Sequence, residues 1–62
     1  MAKPLPKFPD ELDKGDVIRS NTGPLTVADV FRMQGRPSTR VITFTDGSDV
    51  VVRADVPVEM WG

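Results

Sequence analysis

The chain reads as an all-β protein, a small five-stranded antiparallel barrel preceded by an extended proline-rich arm. Three observations predict it. Residues 40–53 place two β-branched runs around Asp46-Gly47, a strong short-range hairpin signal. Turn clusters at Asn21-Thr22-Gly23-Pro24 and Gln34-Gly35-Arg36-Pro37 cut the rest into pieces of strand length. Residues 26–34 carry Val27, Val30 and Phe31 at helical spacing, but their β-branched content favours a strand over the competing amphipathic helix.

The expected elements run in order as follows. Pro4, Pro6 and Pro9 fix φ and disfavour helix at the residues before them, so residues 1–13 form the arm. Such an arm suits a partner's aromatic groove. The plainer reading is preferred: a tail whose Leu5 or Phe8 packs on its own domain, or an unstructured terminus. Residues 10–15 have room for one helical turn with Asp10 near its N-terminus. The barrel takes residues 14–62. Its first strand covers 16–20 and its second 25–33. In the second, Leu25, Val27, Phe31 and Met33 share one parity with Asp29, while Val30 has the other. A bulge near Ala28-Asp29 resolves that conflict by switching faces midway. Residues 34–39 form a loop, 39–45 the third strand, 48–53 the fourth, and 58–61 a short closing strand after a turn.

Asp46-Gly47 permits two registers. A two-residue turn pairs Thr45 with Ser48 and divides the apolar residues evenly between the faces. A three-residue loop, Thr45-Asp46-Gly47, pairs Phe44 with Ser48 and needs Gly47 in the left-handed region. It gathers Ile42, Phe44, Val50 and Val52 on one face and leaves Val41 and Val51 among Thr43, Asp49 and Arg53 on the other. A half-buried sheet requires that division, so the second register is expected.

Composition narrows the function. Sixty-two residues make one domain at most, too small to bury much of its surface without help. The chain has no Cys, His or Tyr. Disulfides, thiolate zinc sites and the commonest general base are therefore missing. Ser and Thr occur only as ordinary turn and strand residues with no base beside them, so no enzyme, catalytic residue, metal or cofactor is expected. Asp46 and Asp49, flanking the hairpin turn, are the candidate carboxylate pair and read as turn and surface positions. They lack the alternating ligands and terminal Glu of a calcium loop. The net charge of −1 argues against coating nucleic acid by charge alone. No apolar run reaches the length of a transmembrane helix or signal-peptide core, so a cytoplasmic protein is expected, of a size that fits a bacterial or phage accessory protein.

The layout resembles the SH3-like barrel family, particularly its Tudor and KOW-like members. Lys14-Gly15-Asp16-Val17-Ile18 opens the first strand, Val41-Ile42-Thr43-Phe44-Thr45-Asp46-Gly47 enters the hairpin, and Val56-Pro57-Val58 precedes the closing strand. The resemblance spans residues 14–61 and implies a binding module for peptides, modified side chains or nucleic acid. The chain departs from methyl-ligand-binding Tudor domains, because Phe8, Phe31, Phe44 and Trp61 are too scattered for an aromatic cage. It also lacks the active-site strand motif of the plasmid-type reductase built on this barrel. A fold assigns no function by itself.

Two candidate contact surfaces remain. Arg32, Arg36 and Arg40 surround a loop containing Gly35 and Pro37, and their planar forks suit phosphate or carboxylate. The plainer alternative is a solvated loop balancing the acidic C-terminal part through Asp49 or Asp55. Met60 and Trp61 lie on the closing strand, where Trp61 either packs over the barrel's end or anchors a partner or twofold mate. A non-enzymatic interaction or assembly module binding a protein partner is the leading expectation. A nucleic-acid-associated barrel touching phosphates through residues 32–40 is the alternative, and a homodimer is possible through the open edge.

Overall fold

The computed structural model describes residues 4–62. It is all-β, with a single 3₁₀ turn at Pro9–Glu11 and four strands: β1 (Val17–Ser20), β2 (Gly23–Met33), β3 (Arg36–Phe44) and β4 (Asp49–Arg53). Each strand pairs antiparallel with the next, in the order β1-β2-β3-β4, and the sheet curls into a half-barrel. Among the described residues, no helix is long and apolar enough to cross a membrane.

The β3–β4 hairpin takes the three-residue loop. Thr43 faces Asp49, Ile42 faces Val50 and Val41 faces Val51. The Phe44 N–H donates to the Ser48 carbonyl (2.9 Å) and the Gly47 N–H to the Phe44 carbonyl (3.0 Å). Gly47 has φ +91°, a conformation that disfavours any residue with a Cβ. Asp46 completes the turn by accepting the Ser48 N–H (2.9 Å) and the Ser48 hydroxyl (2.6 Å) on Oδ1. These bonds pull its carboxyl below the ordinary 3.8, the hydroxyl more than the N–H.

The bulge in β2 also forms. Val27 pairs with Phe44, but the register shifts by one before Asp29 meets Thr43 and Val30 meets Ile42. The extra residue lets both Val27 and Val30 turn inward and sends Phe31 outward, where it is half exposed. Asp29 stays off the core, its carboxylate accepting the Val30 N–H (2.9 Å).

The core holds Leu12, Ile18, Val27, Ile42 and Phe44, with Leu25, Val30, Val52, Val58 and Met60 packed around them. Ile42, on the central strand, is fully buried. Its side chain contributes about 1.5–3 kcal/mol by leaving water.

Three expectations change. The loop over 34–39 shrinks to a two-residue turn at Gln34-Gly35, and β3 begins at Arg36. Arg36 pairs with Met33 across that turn, while a second register shift between Arg32 and Met33 leaves residues 37–39 without partners on β2, and Thr39 pairs with Arg53 of β4 instead. Second, residues 58–61 form no regular strand. Val58 and Met60 make isolated bridges to Lys7 and Ile18, supported by bonds from Arg19 N–H to the Glu59 carbonyl (2.9 Å) and from Trp61 N–H to the Val17 carbonyl (3.0 Å). Pro57, which has no N–H, precedes this segment. Third, the N-terminal part is built into the domain. Lys7 exchanges backbone bonds with Val58 (3.1 and 2.6 Å), and Pro9 and Leu12 are buried. Of Leu5 and Phe8, the alternative candidates to pack, Leu5 is well exposed and Phe8 about half exposed. The 3₁₀ turn is closed by the Glu11 carboxylate, which accepts the Phe8 N–H (2.9 Å).

Candidate functional site

The curl leaves one side of the half-barrel open. β1 is covered along its outer edge by the C-terminal segment, whereas β4 has a strand on one side only. Between the inner surface of β1 and that of β4 lies a groove of about 760 Å³, within the size range of ligand sites. Buried Ile18 and Phe44, with Leu25, Val52 and Val58, form its apolar lining. Arg19, Asp46, Asp49 and Arg53 stand at its rim.

Val50 shows why the groove exists. Register places it on the inner face, opposite buried Ile42. It is nonetheless 39 % exposed, because no part of the described chain covers it. Val56, on the turn after β4, adds a second exposed apolar side chain to the lining. Alternation in 48–53 identifies Val50 and Val52 as inward-facing, but not the gap beside them. The available signal was the apolar excess of Val56, Pro57 and Val58 directly after β4.

The three arginines separate. Arg32 and Arg40 face each other across the β2–β3 hairpin, and Arg36 sits beside its turn. Arg40 is buried, which corrects the reading of it as a surface contact. The register that turns Ile42 and Phe44 inward also turns Arg40 inward, two residues earlier. Its guanidinium donates from Nε to Asp10 Oδ1 (2.8 Å), from Nη2 to Asp10 Oδ2 (3.3 Å), and from Nη1 to the carbonyls of Pro37 (2.7 Å) and Thr39 (3.1 Å). A buried guanidinium needs such partners. The Arg40 hydrogen bond is the main cause holding the Asp10 carboxyl below 3.8, with smaller Coulombic help from Arg40 and Arg32. The pair fastens the 3₁₀ turn over the end of the sheet. Arg32 and Arg36 are exposed and join none of the ion pairs among the described residues.

Met60 and Trp61 also differ from each other. Met60 packs against the core, while Trp61 is half exposed. Trp61 lines a shallow depression with Pro4, Leu5 and Pro6, away from the groove. Lys7 and Asp16 form an ion pair there (3.1 Å). The Asp16 carboxyl is lowered from 3.8, first by the Asp13 N–H and then by the Lys7 ammonium. The plainer alternative's pairing of the arginine segment with Asp49 or Asp55 is not among the ion pairs of the described residues. Asp55 pairs with Arg53 instead (3.2 Å), in the open.

Comparison of the chain with protein-family models, curated proteins and solved structures finds no match.

Proposed function

We propose that the protein is a non-enzymatic interaction module of SH3-like architecture that holds an apolar, extended segment of a protein partner in the groove between β1 and β4. The SH3-like reading is supported by consecutive antiparallel hairpins and by a C-terminal segment that returns to β1 after a turn. The observation carrying the binding role is Val50, an inward-facing residue left without cover beside an apolar groove. Exposed apolar surface of this kind, rimmed by polar residues, marks an interaction site. An apolar segment suits the place, since the inner-face side chains Ile18, Leu25, Val52 and Val58 line the groove along its length.

Selection of ligands from a displayed random-peptide library tests this. Bound peptides shift the backbone amide resonances of Ile18, Leu25, Val50, Val52 and Val58, and Val56→Glu weakens them about tenfold by setting a charge at the groove wall. Shifts confined to other surfaces, or peptides indifferent to Val56→Glu, refute the reading.

The second reading rests on Arg32 and Arg36, exposed at the β2–β3 hairpin. With Arg40 withdrawn, two arginines remain for phosphates, predicting a slope of about −2 in log K against log salt. Absence of binding to DNA and RNA at low salt eliminates it.

A further inference from the structure

The outer edge of β4 fits a second copy of itself. The Phe44 N–H bonds to the Ser48 carbonyl and the Ala54 N–H to the Ser38 carbonyl. The even-numbered residues of this strand therefore point their backbone groups at β3, and by the alternation of an antiparallel ladder the odd-numbered ones point theirs outward. Asp49, Val51 and Arg53 thus present the free edge. Within the described chain, the only backbone bond at these positions is a 3.3 Å contact from the Val56 N–H to the Arg53 carbonyl.

Exposed edges are ordinarily blunted by Pro, by charged side chains, above all Lys, or by a covering segment. β4 has no Pro or Lys, and its centre is Val51, 55 % exposed. Its charges are arranged symmetrically, with Asp49 two residues before Val51 and Arg53 two residues after.

We infer that two copies associate through antiparallel pairing of β4 with β4 about a twofold axis at Val51. In that register Val51 meets its own copy, and Asp49 of each chain lies opposite Arg53 of the other. On the inner face, Val50 lies opposite Val52. Each facing pair is apolar with apolar or acid with base, the pattern that favours cross-strand neighbours. Sliding the strands by two residues either way sets Val51 against Asp49 or Arg53 and loses this match.

The outer face adds a second complementarity. Phe31, Val41 and Val51 lie in register across β2, β3 and β4, with Phe31 and Val51 at least half exposed. The twofold continues this apolar row into the partner's own. Arg53 already meets Asp55, but that pair is solvent-exposed on both sides and yields readily to a competing carboxylate. The interface is isologous and closes after two chains. It goes beyond the groove reading and does not depend on a groove ligand.

Sedimentation equilibrium of the whole protein tests this, across roughly 10 µM to 1 mM to cover a micromolar dissociation constant. The expected mass rises from 6.8 kDa towards twice that value. D49R alone opposes base to base, and R53D alone acid to acid, so each weakens association roughly tenfold or more. An equimolar mixture of the two restores it, because each Arg then faces an Asp. The double variant D49R/R53D restores it within one chain. Circular dichroism confirms that each variant is folded; these positions are exposed. Three results overturn the proposal: a wild-type mass of one chain throughout, association indifferent to either reversal, or single variants that stay monomeric when mixed. Val56→Glu leaves the dimer intact while weakening groove ligands about tenfold, so failure of one proposal is read separately from failure of the other.

Discussion

Gly47 offers the cleanest perturbation of this fold. It holds φ +91°, and a Cβ built there meets nothing within 4 Å. A substitution therefore carries conformational strain without a steric clash. An L-residue in the left-handed region costs about 1–2 kcal/mol, and a β-branched one reaches about 3 kcal/mol. Asn, which tolerates this region, costs about 0.5–1 kcal/mol. At about 0.05–0.15 kcal/mol per residue, a domain of this size holds only about 3–9 kcal/mol in total. Gly47→Val thus removes a third of it or more. With about 4–8 °C per kcal/mol for small domains, the melting temperature falls by at least about 10 °C. Urea unfolding followed by Trp61 fluorescence and by far-UV circular dichroism measures the series, in the expected order Gly, Asn, Ala, Val. Gly47→Val within about 0.5 kcal/mol of wild type at an unchanged m-value refutes the three-residue loop. So does equal cost for Asn and Val.

Other perturbations probe the core and the charges. Ile42→Ala costs about 2–4 kcal/mol, whereas Ile42→Val costs about 1 kcal/mol; both are read from urea midpoints. Arg40→Ala is more damaging than Arg40→Met by about 1 kcal/mol, because Met refills the volume and needs no partner, and the difference appears as a lower urea midpoint for Ala. The carboxyls of Asp10, Asp16 and Asp46 all lie below 3.8 in the folded protein. Their stabilisation is complete above the unfolded carboxylate value, near about 3.9, and is lost as pH falls through the lower folded values. Urea midpoints are therefore flat from about pH 5 to 7 and drop below about pH 4, and the triple Asn variant at these positions flattens the drop.

Much of the sheet is legible in the chain because its determinants are local. Asp46-Gly47 and the alternation around it specify the β3–β4 register, since one register alone gathers Ile42, Phe44, Val50 and Val52 on a single face. The bulge follows from the clash of parities between Asp29 and its apolar neighbours. Arg40 shows where local reasoning stops. The same parity argument turns it inward, but its charge and its place beside the Gly35- and Pro37-containing loop assign it to a contact surface with Arg32 and Arg36. Nothing within that stretch announces the carboxylate that accepts it, because Asp10 lies thirty residues away in sequence.

By itself, then, the sequence determined the fold class, the hairpin register and the faces of the central strands. These rest on turn conformations and on a side-chain period of two, both set within a few residues. Only the tertiary structure decided that Arg40 is an internal fastener, that Pro9 and Leu12 belong to the domain, and that β4 keeps a free edge beside an open groove. Each of those depends on which distant segment covers a surface. The C-terminal residues lie against β1 and leave β4 bare, a choice made by long-range backbone pairing that no local pattern records.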